Sequence, residues 1–126
     1  MNFYDNLNAK NVFHFFEEIS KIPRGSFNEK GISNYLVNFA KERNLESYQD
    51  DIYNVIIKKN ATEGLGDAPT IILQGHTDMV CEKNNDVQHD FLTDPIETEI
   101  DGEWLKAKGT TLGADNGIGI ATELAI

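Results

Sequence analysis

The sequence predicts an α/β fold in which helices pack on a mixed β-sheet. Three observations carry that reading. Two stretches, one over Asn11–Ile19 and one following Ser26, place apolar residues at helical spacing. Two branched apolar runs, Val55-Ile56-Ile57 and Ile71-Ile72-Leu73, show no polar alternation, the pattern of strands buried on both faces. Asp101-Gly102, set between two further strand-like runs, is a strong local hairpin signal.

Taken in order, Val12, Phe13, Phe15, Phe16 and Ile19 form the apolar face of a first helix, with Glu17 and Glu18 opposite. His14 lies within it and reads as a solvated or half-buried helical histidine. Ile22-Pro23-Arg24-Gly25 breaks the chain. Ser26 then suits an N-cap, with Glu29 as its capping-box partner three residues on. The helix that follows carries Ile32, Tyr35, Leu36, Phe39 and Ala40 on one stripe and runs to about Arg43, where Asn44 can end it. Leu45–Tyr48 and Tyr53–Ile57 read as strands joined by a turn at Asp50-Asp51, and Lys58–Pro69 as a surface loop. Thr70–Gln74, bounded by Pro69 and Gly75, reads as a central strand. Cys81–Pro95 is polar and irregular; Ile96–Ile100 and Trp104–Ala107 flank the hairpin turn. After Gly113-Ala114-Asp115-Asn116-Gly117, a tight turn, Ile118, Ile120, Ala121, Leu124 and Ala125 open a buried helix. That helix carries no stop signal before Ile126, so the expectation is the N-terminal part of a longer protein.

A length of 126 residues corresponds to one domain. The formal net charge of −10 argues against nucleic acid and anionic membrane as partners, both of which need basic surface. No apolar run approaches the roughly 18 residues that span a bilayer. Met1–Lys10 has no signal-peptide pattern, and the single cysteine, Cys81, allows no internal disulfide. The expected location is the cytoplasm.

The chemistry concentrates where the central strand ends, at Gly75-His76-Thr77-Asp78. Residues two apart on an extended segment share a face. An imidazole and a carboxylate so placed suit a metal site, the carboxylate either binding the ion or orienting the ring; the plainer reading is a surface turn with two unrelated polar residues. Asp115 stands at a second junction, before a helix, either as a further ligand or as a turn former. Bridging carboxylates hold metal pairs about 3.5–4 Å apart. The glycines around Asp115 match neither phosphate-binding spacing, no lysine follows, and Asp115 itself would repel a phosphate. The acidic loops lack calcium-loop spacing. Cys81 as nucleophile would need a histidine partner, and it reads more simply as a small buried apolar group.

Leu73-Gln74-Gly75-His76-Thr77-Asp78-Met79-Val80 and Gly109-Thr110-Thr111-Leu112-Gly113-Ala114-Asp115-Asn116-Gly117-Ile118-Gly119 together resemble the aminoacyl-histidine dipeptidases. These belong to the di-zinc metallopeptidases that also include the carboxypeptidase G-type, peptidase T and peptidase V enzymes. Lys83-Asn84-Asn85-Asp86, His89-Asp90-Phe91, Asp94-Pro95-Ile96, Asp101-Gly102-Glu103-Trp104, Ile22-Pro23-Arg24 and the strand over Asp51–Ile57 share the likeness, which covers essentially the whole chain.

The resemblance implies that residues 1–126 are the N-terminal portion of a zinc-peptidase (phosphorylase/hydrolase-like) catalytic domain, with the lid domain and C-terminal half absent. It implies His76 and Asp115 as metal ligands, Asp115 bridging two ions across a peptide to Asn116 that is often cis. It implies a catalytic role for Asp78, exercised by holding the His76 imidazole and raising its basicity. The cofactors would be two divalent ions, zinc first, with cobalt or manganese also accepted. The reaction would be hydrolysis of dipeptides, preferably Xaa-His, by a zinc-activated water, in a full-length parent that can form a homodimer. The family's general base and remaining ligands lie downstream of the bridging aspartate and have no counterpart here; Glu123 is too close to Asp115 to serve and reads as a solvated helix residue. The 126 residues alone are therefore expected to be inactive, with metal weakly held or absent. The alternatives are a non-catalytic peptide- or metal-binding module on the same scaffold, and a related tripeptidase or acyl-amino-acid deacylase. No substrate-binding residue can be assigned.

Overall fold

The computed structural model describes residues 8–126, so the reading of Met1–Lys10 falls mostly outside the described residues. The elements run α1 (Lys10–Ser20), α2 (Lys30–Glu42), β1 (Glu46–Gln49), β2 (Val55–Lys58), β3 (Thr98–Asp101), β4 (Trp104–Ala107) and α3 (Ala114–Ala125). Helices with small sheets agree with the α/β class. The sheets themselves are two separate antiparallel hairpins, β1–β2 and β3–β4. Two compact units result: the described residues up to Ile32 with Gly75–Ile126, and Ser33–Gln74.

In the first unit α1 packs against α3. Phe16 and Ile19 from α1, Ile120 and Ala121 from α3, and Met79 between the helices in sequence are all buried. Gly117 permits the approach, since a Cβ there would stand 3.0 Å from the Phe16 ring. His14 is exposed, as its place on the polar side of α1 requires. The β3–β4 hairpin forms where the Asp-Gly signal lies. Asp101 pairs with Trp104, leaving Gly102 and Glu103 as the turn, and Gly102 takes the positive φ of 61° that the turn needs. The Ile96 N–H donates to Ser20 O at 2.9 Å and ties the approach to β3 onto the end of α1.

In the second unit α2 buries Ser33, Leu36, Phe39 and Ala40. It ends as expected at Asn44, which adopts φ 55°. The Leu45 N–H reaches Ala40 O (2.9 Å) and the Asn44 N–H reaches Lys41 O (3.1 Å), the paired bonds of a left-handed helix stop. β1 pairs with β2 from Glu46↔Lys58 to Gln49↔Val55. The turn between them is organised by Asp50, whose Oδ1 accepts from the N–H groups of Ile52 and Asn54. The buried Ser33 hydroxyl donates to Tyr53 O at 2.9 Å and accepts from Gln49 Nε2 at 2.6 Å.

Three expectations are corrected. Val55–Ile57 is not buried on both faces: Ile56 is exposed while its neighbours are half-buried, the alternation of a hairpin with one wet face. Thr70–Gln74 forms no strand, and Ile72 is 85% exposed. An apolar run becomes a strand only when a partner satisfies its N–H and C=O groups, and none does so among the described residues. Ser26 does not cap α2, which begins four residues later at Lys30. A turn closed by the Asn28 N–H on Gly25 O (2.8 Å) intervenes, and Glu29 Oε1 accepts from the Phe27 N–H instead.

Candidate functional site

His76, Asp78 and Asp115 meet within the first unit. Gly75 lets the 75–79 segment pass close to the start of α3: a Cβ there would stand 2.6 Å from Asn116 Nδ2 and 3.1 Å from Ile120 Cδ1. On the other side, Asp115 (φ −94°, ψ 104°) and Asn116 (φ −111°, ψ 33°) leave helical geometry inside the first turn of α3. The peptide between them is cis, as the resemblance implied.

The His76 ring lies between the two carboxylates. Its Nδ1 is 3.0 Å from Asp78 Oδ1 and 3.1 Å from Asp78 O. Its Nε2 is 3.0 Å from Oδ1 of Asp115, 39 residues along the chain. Desolvation lowers the pKa of the imidazole, but hydrogen bonds to Asp115 and Asp78 outweigh it and hold the ring above its ordinary value. The Asp78 carboxyl is held below the usual range, first by a hydrogen bond that Ser26 Oγ donates to Oδ2 at 2.5 Å, then by His76. The contacts thus form a chain: Ser26, Asp78, His76, Asp115.

The outer end of that chain is wet. The Asp115 side chain is 97% exposed and that of His76 52%. An ion pair so exposed contributes at most about 1 kcal/mol, so stability alone gives little reason to hold it. The scaffold beneath is dry. Arg24 is 2% exposed; its Nη1 donates to Thr77 O at 3.1 Å and its Nη2 to Gly113 O at 2.8 Å. Arg24 O in turn accepts from the Met79 N–H at 3.0 Å, and Gly25 bridges Met79 in parallel register.

No protein-family model matches the chain. It is 47% identical over 120 residues to the cytosol non-specific dipeptidase of Escherichia coli (strain K12), a match covering 95% of this chain and 25% of that protein. The crystal structure of aminoacylhistidine dipeptidase from Vibrio alginolyticus superposes with a TM-score of 0.93 at 46% identity, covering 98% of this chain and 25% of that one. The chain is thus similar in sequence and in fold to one quarter of each of these dipeptidases. It spans a quarter of the length of each.

The three expected site residues come together, though not from a strand end: His76 and Asp78 project from an irregular loop. An imidazole nitrogen facing a carboxylate oxygen, with the ring's other nitrogen held by a second carboxylate, is a donor set that suits a divalent ion. Among the described residues no group of three or more His, Cys, Asp or Glu could hold one; the donors that face each other here are two, His76 Nε2 and the Asp115 carboxylate. Glu123 is half-buried rather than solvated, and burial raises its pKa; it lies beside Gly75, where a Cβ would stand 3.4 Å from its Oε1. Cys81 is half-buried beside Gly25, and burial pushes its thiol pKa up, which suits the apolar reading over a nucleophile.

Sequence reasoning missed Arg24 and Ser26 as parts of the site. The glycine spacing around Asp115 was the available signal. Gly113 and Gly117 make room for a guanidinium: a Cβ on either would stand 2.6 Å and 2.7 Å, respectively, from Arg24 Nη2. Among the described residues no helix is long and apolar enough to cross a membrane.

Proposed function

We propose that residues 1–126 are the N-terminal part of the catalytic domain of a cytoplasmic metal-dependent dipeptidase. The carrying observation is the His76 ring, held at Nδ1 by Asp78 with Nε2 turned to Asp115. Asp78, itself fixed by Ser26, favours a proton on Nδ1 and so leaves the Nε2 lone pair for a metal. His76 and Asp115 would supply a nitrogen and a carboxylate ligand, the solvent-exposed Asp115 carboxylate being the one proposed to bridge. Two divalent ions, zinc first and cobalt or manganese next, would supply Lewis acidity and a lowered pKa for coordinated water. The substrates proposed are dipeptides, with Xaa-His preferred, and the whole protein is proposed to act as a homodimer.

A second reading has one observation in its favour. With only two donors, these residues also suit a non-catalytic module that binds a peptide or a single ion. One experiment separates the two. The full-length gene product is assayed on a panel of dipeptides, tripeptides and N-acyl amino acids, before and after chelation and zinc return. Xaa-His hydrolysis that chelation abolishes, zinc restores and His76→Ala removes supports the dipeptidase. Zinc binding without turnover of any panel member supports the module and sinks the enzyme.

A further inference from the structure

The contact between His76 and Asp115 is too exposed to set their distance by itself. That distance is set by how two backbone segments are held, and one side chain holds both. Arg24 donates to the carbonyl of Thr77, which directly follows His76, and to that of Gly113, two residues before Asp115. Its backbone binds the same loop again through the Met79 N–H.

We propose that Arg24 is the positioning residue of this site, clamping the His76 loop to the Asp115 turn through Thr77 O and Gly113 O. The inference deepens the metal reading above and rests on it for its consequence, though not for its geometry. Three further features favour it. A guanidinium presents donors in a fixed planar fork, so it reaches two carbonyls at once; a lysine ammonium on a flexible stem does not fix their separation. Burial of the cation disfavours its charged form, with the Asp78 charge opposing, and Nε has no partner among the described residues, so the residue sits there at a cost. Finally, Gly113 and Gly117 bracket the Asp115 turn and leave the guanidinium the space that any side chain at either position would take. Gly113 and Gly117, whose spacing matches no phosphate loop, are thereby assigned to the arginine.

The test uses the full-length gene product, isotope-labelled at histidine and freed of metal, and imidazole NMR. In the wild-type background, Asp115→Asn should shift the His76 Nε2 and Hε1 resonances, because the two groups are in contact. In an Arg24→Lys background the same substitution should produce at most half that shift, while Ser33→Ala, a buried change in the other unit, should leave it intact. Folded and unfolded molecules give separate imidazole resonances, so the shift is read on the folded set, and Ser33→Ala controls for a general loss of packing. Zinc titrated into the same samples should bind R24K about 10–100-fold more weakly than wild type. A folded R24K with the full Asp115→Asn shift overturns the proposal. If wild type shows no zinc response, the metal reading fails, and the Asp115→Asn shift still decides the role of Arg24. If R24K does not fold, couplings across the hydrogen bonds from the wild-type Arg24 Nη atoms to the Thr77 and Gly113 carbonyls decide instead: both present supports the clamp, either absent overturns it.

Discussion

Removing the Ser26 hydroxyl tests whether Asp78 is held from behind as the geometry indicates. Ser26 Oγ donates to Asp78 Oδ2 at 2.5 Å, a bond to a charged acceptor. Such bonds contribute about 1.5–3 kcal/mol when shielded. Here Ser26 is exposed and the Asp78 side chain is 34% exposed, so solvent screening reduces the expected loss in Ser26→Ala to about 1 kcal/mol. For a chain of this length that is roughly 4 °C in Tm. The pH dependence is the sharper part. The Asp78 pKa is depressed in the folded state, with the Ser26 bond as first cause. The stability this contributes is complete above the unfolded-state value, about 3.9, and is lost as pH falls through the lower folded value. Urea denaturation of wild type, Ser26→Ala and Ser26→Thr at pH 7, 4 and 3 should therefore show a gap between wild type and S26A at pH 7 that narrows below pH 4. S26T, keeping a hydroxyl, should lie with wild type. Equal stability of S26A and wild type at pH 7, or a gap that does not change with pH, would refute the assignment of Ser26 as the holder of Asp78.

Phe16→Ala should cost about 3–5 kcal/mol in urea denaturation, because the ring is buried where α1 meets α3. His76 has a raised pKa in the folded state, so its bonds to Asp78 and Asp115 stabilise the metal-free chain fully below its unfolded value, about 6.5. That contribution is lost as pH rises through the raised folded value; the stability difference between wild type and His76→Gln should shrink accordingly between pH 6 and pH 9, and a difference that grows would contradict it. The 126 residues alone should hydrolyse an Xaa-His dipeptide no faster than a metal-only blank, as measured by amino-acid release; robust turnover would contradict the two-donor count.

What the sequence made legible was local. The helices, the Asn44 stop and the Asp101-Gly102 hairpin depend on contacts within a few residues, and each lies where its pattern put it except for the start of α2, at Lys30 rather than after Ser26. The pairing of His76 with Asp78 was legible for a related reason: residues two apart in extended chain can meet even when, as here, the loop is no strand. What was not legible depends on partners far along the chain. Thr70–Gln74 has the composition of a strand, but composition does not supply a ladder partner. Ser26 carries a capping signal that any serine before a helix would show, and the stronger acceptor, Asp78, lies 52 residues on. Glu123 sits in the last turn of α3, and Gly75, which packs beside it, comes from 48 residues earlier in the chain. The meeting of His76 with Asp115 followed from the family likeness, not from any spacing within the chain.

The site divides along a physical line that its two ends make plain. The groups that would touch a metal, His76 Nε2 and the Asp115 carboxylate, are exposed and held to one another only by a contact that water screens. The groups that fix their backbones, Arg24 and Met79, are almost fully buried. An arrangement made for stability would invert this, burying its strongest polar contacts with their partners and leaving the loops to solvent. Placing a desolvated cation beneath two loops, with Nε unpartnered among the described residues and two glycines cleared for it, costs folding free energy. Its return is the fixed separation of two solvent-facing donors. Pre-organised donors of this kind gain nothing in an empty loop and gain affinity only when a ligand draws on both. That asymmetry, more than the identity of any one residue, favours a ligand-binding site over a surface turn.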